Sequence, residues 1–185
     1  MESMKNMSEL YVHKVINSPV GALKLVSDDE HLLAVLWPND NPRRVRFAIN
    51  TEENKIHSVL IEAEKQLNEY FRQERNSFSI PLRFIGTPFQ QAVWNALNQI
   101  PFGETRSYKQ IATQVDCPKG TQAVGGANGR NPLSIVVPCH RVIGANGTLT
   151  GFAGGLEVKT YLLEIESKSA STSNKQLHLE TAGVL

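Results

Sequence analysis

Residues 107–129 read SYKQIATQVDCPKGTQAVGGANG, and this stretch decides the fold of the C-terminal half. Tyr108, Ile111, Ala112 and Val115 recur at helical spacing and predict a short helix over Ser107 to Val115. Asp116-Cys117-Pro118 breaks it, and a second short helix follows within Lys119 to Gly129. Two short helices joined by a tight turn are the helix-turn-helix pattern. The second of them is built from Ala123, Gly125, Gly126 and Ala127. Such small residues let another backbone approach closely, whether of a helix or of a nucleic acid.

Upstream, Thr87-Pro88-Phe89-Gln90 reads as a helix start, with Thr87 as N-cap, Pro88 in the first turn and Gln90 closing a capping box. Phe89, Val93, Leu97 and Ile100 continue on one face until Pro101 and Gly103 stop the helix. The composition shifts near Gly86, and what precedes it reads differently. Tyr11 to Ile16, Ala22 to Ser27 and His31 to Trp37 are short aliphatic runs separated by turn residues, so they predict an antiparallel meander. A long amphipathic helix is expected from Asn54 to Phe71, with Ile56, Val59, Leu60, Ala63, Leu67 and Tyr70 on the core stripe.

Downstream, Ser134 to Val137 reads as a strand-like run that leads into Pro138-Cys139-His140-Arg141-Val142. A Gly-rich segment (Gly144 to Gly155) and a helix from Leu156 to Ile165 follow. Five of the seven residues 167–173 are Ser or Thr, so a flexible tail over Ser167 to Leu185 is expected. The fold class is therefore α+β. A small N-terminal sheet-plus-helix domain (1–86) precedes a helical, helix-turn-helix domain (87–166) and a tail (167–185).

Composition narrows the function classes. Of 185 residues, 41% are hydrophobic and 20% charged, with 19 basic and 18 acidic side chains for a net charge of +1. That balance excludes an acidic disordered chain and argues against a generally basic nucleic-acid protein. The average hides a difference between segments: residues 1–86 hold 11 basic and 12 acidic side chains, whereas residues 105–147 hold five basic and one acidic. Two cysteines, Cys117 and Cys139, make neither a disulfide framework nor a zinc site, and no metal or cofactor is expected. The polar stretch from Met1 to Glu9 has no apolar core of a secretory signal, and no apolar run is long enough to span a bilayer. A cytoplasmic protein with reduced thiols and no membrane partner is expected.

Cys139 and His140 pair a nucleophile with a candidate base, because a thiol becomes reactive as its proton is taken. Adjacency in sequence does not by itself bring the two side chains into contact. Cys117 lies between Asp116 and Pro118, with no base beside it, and reads as a packing residue. The run from Asn131 to Val142 (NPLSIVVPCHRV) resembles the active-site signature of the O6-alkylguanine-DNA alkyltransferases, and the resemblance extends over the 80 residues from Thr87 to Glu166.

The resemblance implies a winged helix-turn-helix-like alkyltransferase domain that acts as a monomer on alkylated double-stranded DNA. It implies that Cys139 displaces the alkyl group from O6 of guanine, and leaves open whether O4 of thymine is also a substrate. His140 would activate it through a water, Glu166 would orient His140, and Asn131 would brace the turn. Tyr108 would donate its hydroxyl to the guanine ring or the adjacent phosphate. Val142, Phe152, Ala153 and Gly154 would line the base pocket. Gln122, Ala123, Gly125, Gly126, Ala127, Arg130 and Arg141 would meet DNA from the minor groove, with the damaged nucleotide flipped out. One departure stands out: Gln122 occupies the position where most members carry the arginine that fills the gap in the stack. Arg130 is the candidate to supply that charge, or else a solvated phosphate contact. A Cys–His hydrolase, which would need an oxyanion hole, does not account for the helix-turn-helix pattern. A damage sensor without repair activity would lack Cys139.

Overall fold

The computed structural model describes residues 11–181; Met1 to Glu9 and the last four residues of the expected tail lie outside the described residues. Strands β1 (Val12–Ile16), β2 (Leu23–Ser27) and β3 (Leu32–Leu36) form the expected antiparallel meander. β1 pairs with β2 from Val12 opposite Ser27 to Ile16 opposite Leu23, and Lys24 of β2 lies opposite Leu36 of β3. Gly21 closes the first hairpin at a φ of +101°, a left-handed conformation that suits glycine. A two-residue strand, β4 (Glu52–Glu53), adds parallel to β1 and gives the order β3-β2-β1-β4.

This pairing corrects the start of the first helix. α1 spans Ser58–Phe71, because residues 52–53 are held extended against β1 and the Asn54 side chain accepts from the Ile56 amide. Ile56, expected in the core, is 85% exposed. The remaining stripe behaves as its spacing predicts, with Leu60, Ala63, Leu67 and Tyr70 buried.

α2 (Pro88–Asn98) starts with the full Thr87/Gln90 capping box. After the two-residue strand β5 (Arg106–Ser107), α3 (Tyr108–Gln114) opens with a second capping box, between Ser107 and Gln110. Asp116, at a φ of +54°, breaks the chain before α4 (Thr121–Gly129). α2, α3 and α4 pack together, and the Trp94 indole on α2 donates to the Ala127 carbonyl on α4 at 2.9 Å. β6 (Val142–Ile143) pairs parallel to β5.

α5 runs from Leu156 to Thr181, well past Ile165, where the apolar pattern weakens. No Gly or Pro interrupts residues 156–181, so backbone propagation continues through the Ser-rich stretch where an irregular tail was expected. One apolar core joins the two halves: Leu23, Leu60 and Leu67 pack in the same cluster as Val93, Leu97, Val137 and Leu162. β3 is the seam. Its outer edge bridges Leu82 and Leu133, and the Val35 amide donates to the Pro132 carbonyl at 2.9 Å. Strand and turn are covered on both sides, which is why all five β3 residues are buried. Among the described residues, no helix is long and apolar enough to cross a membrane.

Candidate active site

The apolar run Ser134 to Val137 is a turn, not a strand. The Val137 amide donates to the Leu133 carbonyl and the Val136 amide to Ser134, while Ile135 sits at a φ of +72°. A β-branched residue in the left-handed region is strained by about 1–3 kcal/mol. The apolar pattern has a different origin from strand alternation: every residue from Asn131 to Val142 is buried.

Asn131 holds the turn from within, as expected. Its amide nitrogen donates to the Val137 carbonyl at 2.8 Å, and its amide oxygen accepts from the Leu133 amide at 3.0 Å. From the N-terminal half, Arg44 donates to the Asn131 carbonyl at 2.5 Å while also binding Asp40. Asn128 of α4 reaches the Cys139 carbonyl at 3.5 Å. The turn delivers Cys139 into a short 3₁₀ segment, Cys139–Arg141, on the inner side of the molecule.

The Cys139 thiol is buried, and burial pushes its pKa up despite the opposing influence of the Asn131 amide, Arg44 and Lys159. At rest the sulfur is therefore held as the thiol, and a base has to take its proton. His140 is fully buried, and burial lowers its pKa against the raising effect of Glu166, so the ring is neutral. Its Nε2 is 2.7 Å from Glu166 Oε1, while Nδ1 has no partner among the described residues. Glu166, buried at 1% exposure, would be raised by burial alone. Hydrogen bonds from His140 and Arg141 outweigh this and bring its pKa down to about 2. This carboxylate also accepts from the Tyr70 hydroxyl at 2.8 Å and from the Gly103 amide at 3.3 Å.

Two expected DNA contacts point inward. Arg141 is buried, donating from Nε to Glu166 Oε2 at 2.8 Å, from Nη2 to Oε1 at 3.0 Å and from Nη1 to the Ile100 carbonyl at 2.6 Å. Its charge is spent on Glu166, so it belongs to the His140 environment and not to a DNA-facing surface. Ala127 is buried beneath Trp94 and contributes only to the floor of the groove beside α4.

Gln122, Ala123, Gly126 and Arg130 are exposed on α4, and Gly125 faces the Tyr108 ring. The glycines are not needed for internal packing. A Cβ at Gly126 would meet only Arg130 Nη1, at 3.9 Å, and one at Gly129 would meet nothing within 4 Å. Gly154 differs: its Cβ would lie 2.8 Å from the Trp37 ring, and Phe152 packs edge-on to the same ring at 5.4 Å. The Tyr108 hydroxyl lies 3.4 Å from Thr150 Oγ1, next to this loop.

Four residues that position the site were not singled out in the sequence. Lys159 is completely buried and donates to the Val142 carbonyl at 2.6 Å and the Thr150 carbonyl at 2.9 Å, tying together both sides of the expected base pocket. Its signal was available: Lys159, Leu162 and Glu166 fall on one helix face. Tyr70 was placed on an apolar stripe, but nothing local indicates the destination of its hydroxyl. Trp37 and Arg44 act across the seam, beyond the reach of local pattern. Cys117 packs under Gly120, where a Cβ would lie 2.3 Å from its sulfur, in line with a packing role. Among the described residues, no cluster of His, Cys, Asp and Glu has the geometry of a metal site.

Residues 88–168 match the family described as 6-O-methylguanine DNA methyltransferase, DNA binding domain, and residues 11–84 match the ribonuclease-like domain of the same description. The chain is 46% identical over 154 residues to a methylated-DNA–protein-cysteine methyltransferase of Methanosarcina acetivorans, covering 83% of this chain and 97% of that one. It is 47% identical over 150 residues to the constitutive enzyme of that name from Bacillus subtilis, covering 80% and 91%. The crystal structure of Mycobacterium tuberculosis OGT in complex with DNA is similar at a TM-score of 0.78 and 43% identity, covering 86% of this chain and 93% of that one.

Proposed function

The chain belongs to the methylated-DNA–protein-cysteine methyltransferase family, and from that premise we propose how its own residues carry out the reaction. The protein is a DNA-repair transferase that moves an alkyl group from DNA to one of its own cysteines. The acceptor in this reading is Cys139. The observation that carries it is the buried His140–Glu166 pair, which leaves His140 Nδ1 unpartnered one residue from a protonated thiol.

His140 takes the thiol proton through one bridging water. The imidazolium that forms is stabilised by Glu166, which is already ionised and orients the ring through Nε2. The Cys139 sulfur then attacks the alkyl carbon at O6 of guanine. The S–C bond forms, the C–O bond breaks with its electron pair leaving on the guanine, and the base regains a proton from the side of Tyr108. The product thioether has no leaving group within reach, so each molecule acts once. O4-alkylthymine presents the same carbon–oxygen bond and is a second candidate substrate.

An O6-alkyl group inside a duplex is out of reach of a buried thiol, so the nucleotide has to leave the stack, at a cost of a few kcal/mol. The bare outer face of α4 supports a close approach to the minor groove, since nothing inside the molecule requires its glycines. Val142, Phe152, Ala153 and Gly154 receive the flipped base, held in place by Lys159 and Trp37. The chain acts as a monomer in this reading, with the 1–86 segment bracing the site and 87–166 carrying the chemistry.

Mass spectrometry of the protein mixed with a duplex containing O6-methylguanine tests the reading. One added methyl per molecule, on Cys139, is expected. An unmodified Cys139, or repeated turnover, would overturn it.

A further inference from the structure

The ion pairs of this molecule leave three arginines over. Of the nine in the chain, Arg44, Arg72, Arg75, Arg83, Arg106 and Arg141 each pair with a carboxylate. The other three, Arg43, Arg46 and Arg130, are exposed, and no side-chain hydrogen bond or ion pair engages their guanidinium groups among the described residues. Arg130 is far in sequence from Arg43 and Arg46, yet all three line one hollow of about 480 Å³, walled by Phe47 and Pro132 and free of any carboxylate. The hollow is continuous with the groove along α4, since Gln90 and Arg130 border both.

We propose that the DNA-binding surface does not end with α4 but crosses the seam onto the N-terminal half, where Arg43 and Arg46 grip the phosphate backbone of the same duplex. This inference rests on the reading of α4 as the DNA-facing helix. Three guanidiniums without a partner among the described residues, along an open trough, suit a row of phosphates, because each planar fork can bind phosphate oxygens bidentately. The arrangement also accounts for Gln122: the helix that enters the groove carries little charge, and the charge sits at its exit. Arg44 locks the loop in place from beneath by binding Asp40 and the Asn131 carbonyl, so Arg43 and Arg46 are presented from a fixed base.

The test is the salt dependence of binding of the full chain to an undamaged duplex of about two helical turns, ~20 bp. Each phosphate contact contributes about −0.9 to the slope of log K against log salt. The Arg43→Ala/Arg46→Ala protein is expected to lose about 2 from that slope. Its affinity deficit should therefore narrow about tenfold between ~50 mM and ~200 mM salt. The charge-matched control Lys65→Ala/Arg72→Ala, on the exposed side of α1 and just past its end, should keep the original slope. An unchanged slope in the Arg43/Arg46 variant, or an equal loss in the control, overturns the proposal. If the Ala pair lowers the Tm, the Arg43→Gln/Arg46→Gln pair provides the same readout. Methylation of Cys139 in the unmodified protein, followed in parallel, reports on the catalytic reading separately from the slope.

Discussion

Two neighbouring segments, α4 and the turn that follows it, follow opposite rules. In residues 131–141 every side chain is buried, Asn131 and Arg141 are hydrogen-bonded while Ser134 Oγ and His140 Nδ1 find no partner among the described residues, and one residue is held in a strained conformation. In residues 121–130 the outer face is bare and polar, and its glycines meet nothing that requires them. The first segment is shaped entirely by its own molecule, as the proposed nucleophile and base require, since both must be held to fractions of an ångström. The second is shaped for something outside. A change in the turn should therefore affect both stability and chemistry, whereas a change on α4 should affect chiefly DNA binding.

The largest effect tests the turn. Cys139→Ser is expected to abolish alkyl transfer while leaving duplex affinity within about twofold, as measured by intact mass and by fluorescence anisotropy. Asn131→Ala comes next. It leaves the Leu133 amide unpaired in a dry interior, at about 1–3 kcal/mol, and removes one of the two donors of the Val137 carbonyl, which keeps the Cys139 amide, so chemical denaturation should show a loss of about 2–4 kcal/mol. Retention of full stability would mean that the turn is held by its apolar packing alone.

Acid should also strike the turn first. Glu166 is depressed to about 2 in the fold, so the stability it contributes is complete above its ordinary value of 4.5 and is lost as the pH falls from there toward 2. His140, lowered by burial, contributes in the same direction: its cost begins as the pH falls below 6.5, where the unfolded ring takes a proton that the folded one resists. Denaturation midpoints measured from pH 7 to pH 3 should decline steadily, and Glu166→Gln should flatten the lower part of that decline.

On α4 the expected effects are smaller in stability and confined to binding. Gly126→Leu should keep or raise the Tm, helix propensity adding about 0.5–1 kcal/mol of stability, yet weaken duplex binding about tenfold or more. A drop in Tm would show that the helix face is packed internally after all. The smallest change is a gain: Gln122→Arg should tighten DNA binding and steepen its salt slope by about 1. No gain in affinity or repair rate would place the stack-filling role elsewhere than at residue 122.

Much of this molecule was legible before it was folded. The Thr87/Gln90 capping box, the three-strand meander and the break at Asp116 follow from local chemistry, because an N-cap or a turn is settled within four or five residues. The errors share one cause. Ile56 followed helical spacing but fell to a strand pairing some forty residues away, and Ser134 to Val137 followed the pattern of a strand while serving as a buried turn. Apolar character reports burial faithfully, and it identifies conformation only when periodicity supports it.

What the sequence determined by itself was the chemistry: a cysteine followed by a histidine, a downstream glutamate, an asparagine eight residues before the cysteine, and a helix of small residues. What only the tertiary structure decided was the allocation of charge. Arg141 and Arg130 look alike in the sequence, yet the fold places one against Glu166, 25 residues away, and leaves the other, without a partner among the described residues, on a rim with Arg43 and Arg46. Tyr70 reaches the same glutamate across 96 residues. Helical and strand periodicities act over a few residues, but Coulomb and hydrogen-bond partners are fixed by distance in space. A net charge of +1 was therefore compatible with a locally unbalanced surface, and only the fold showed where it lies.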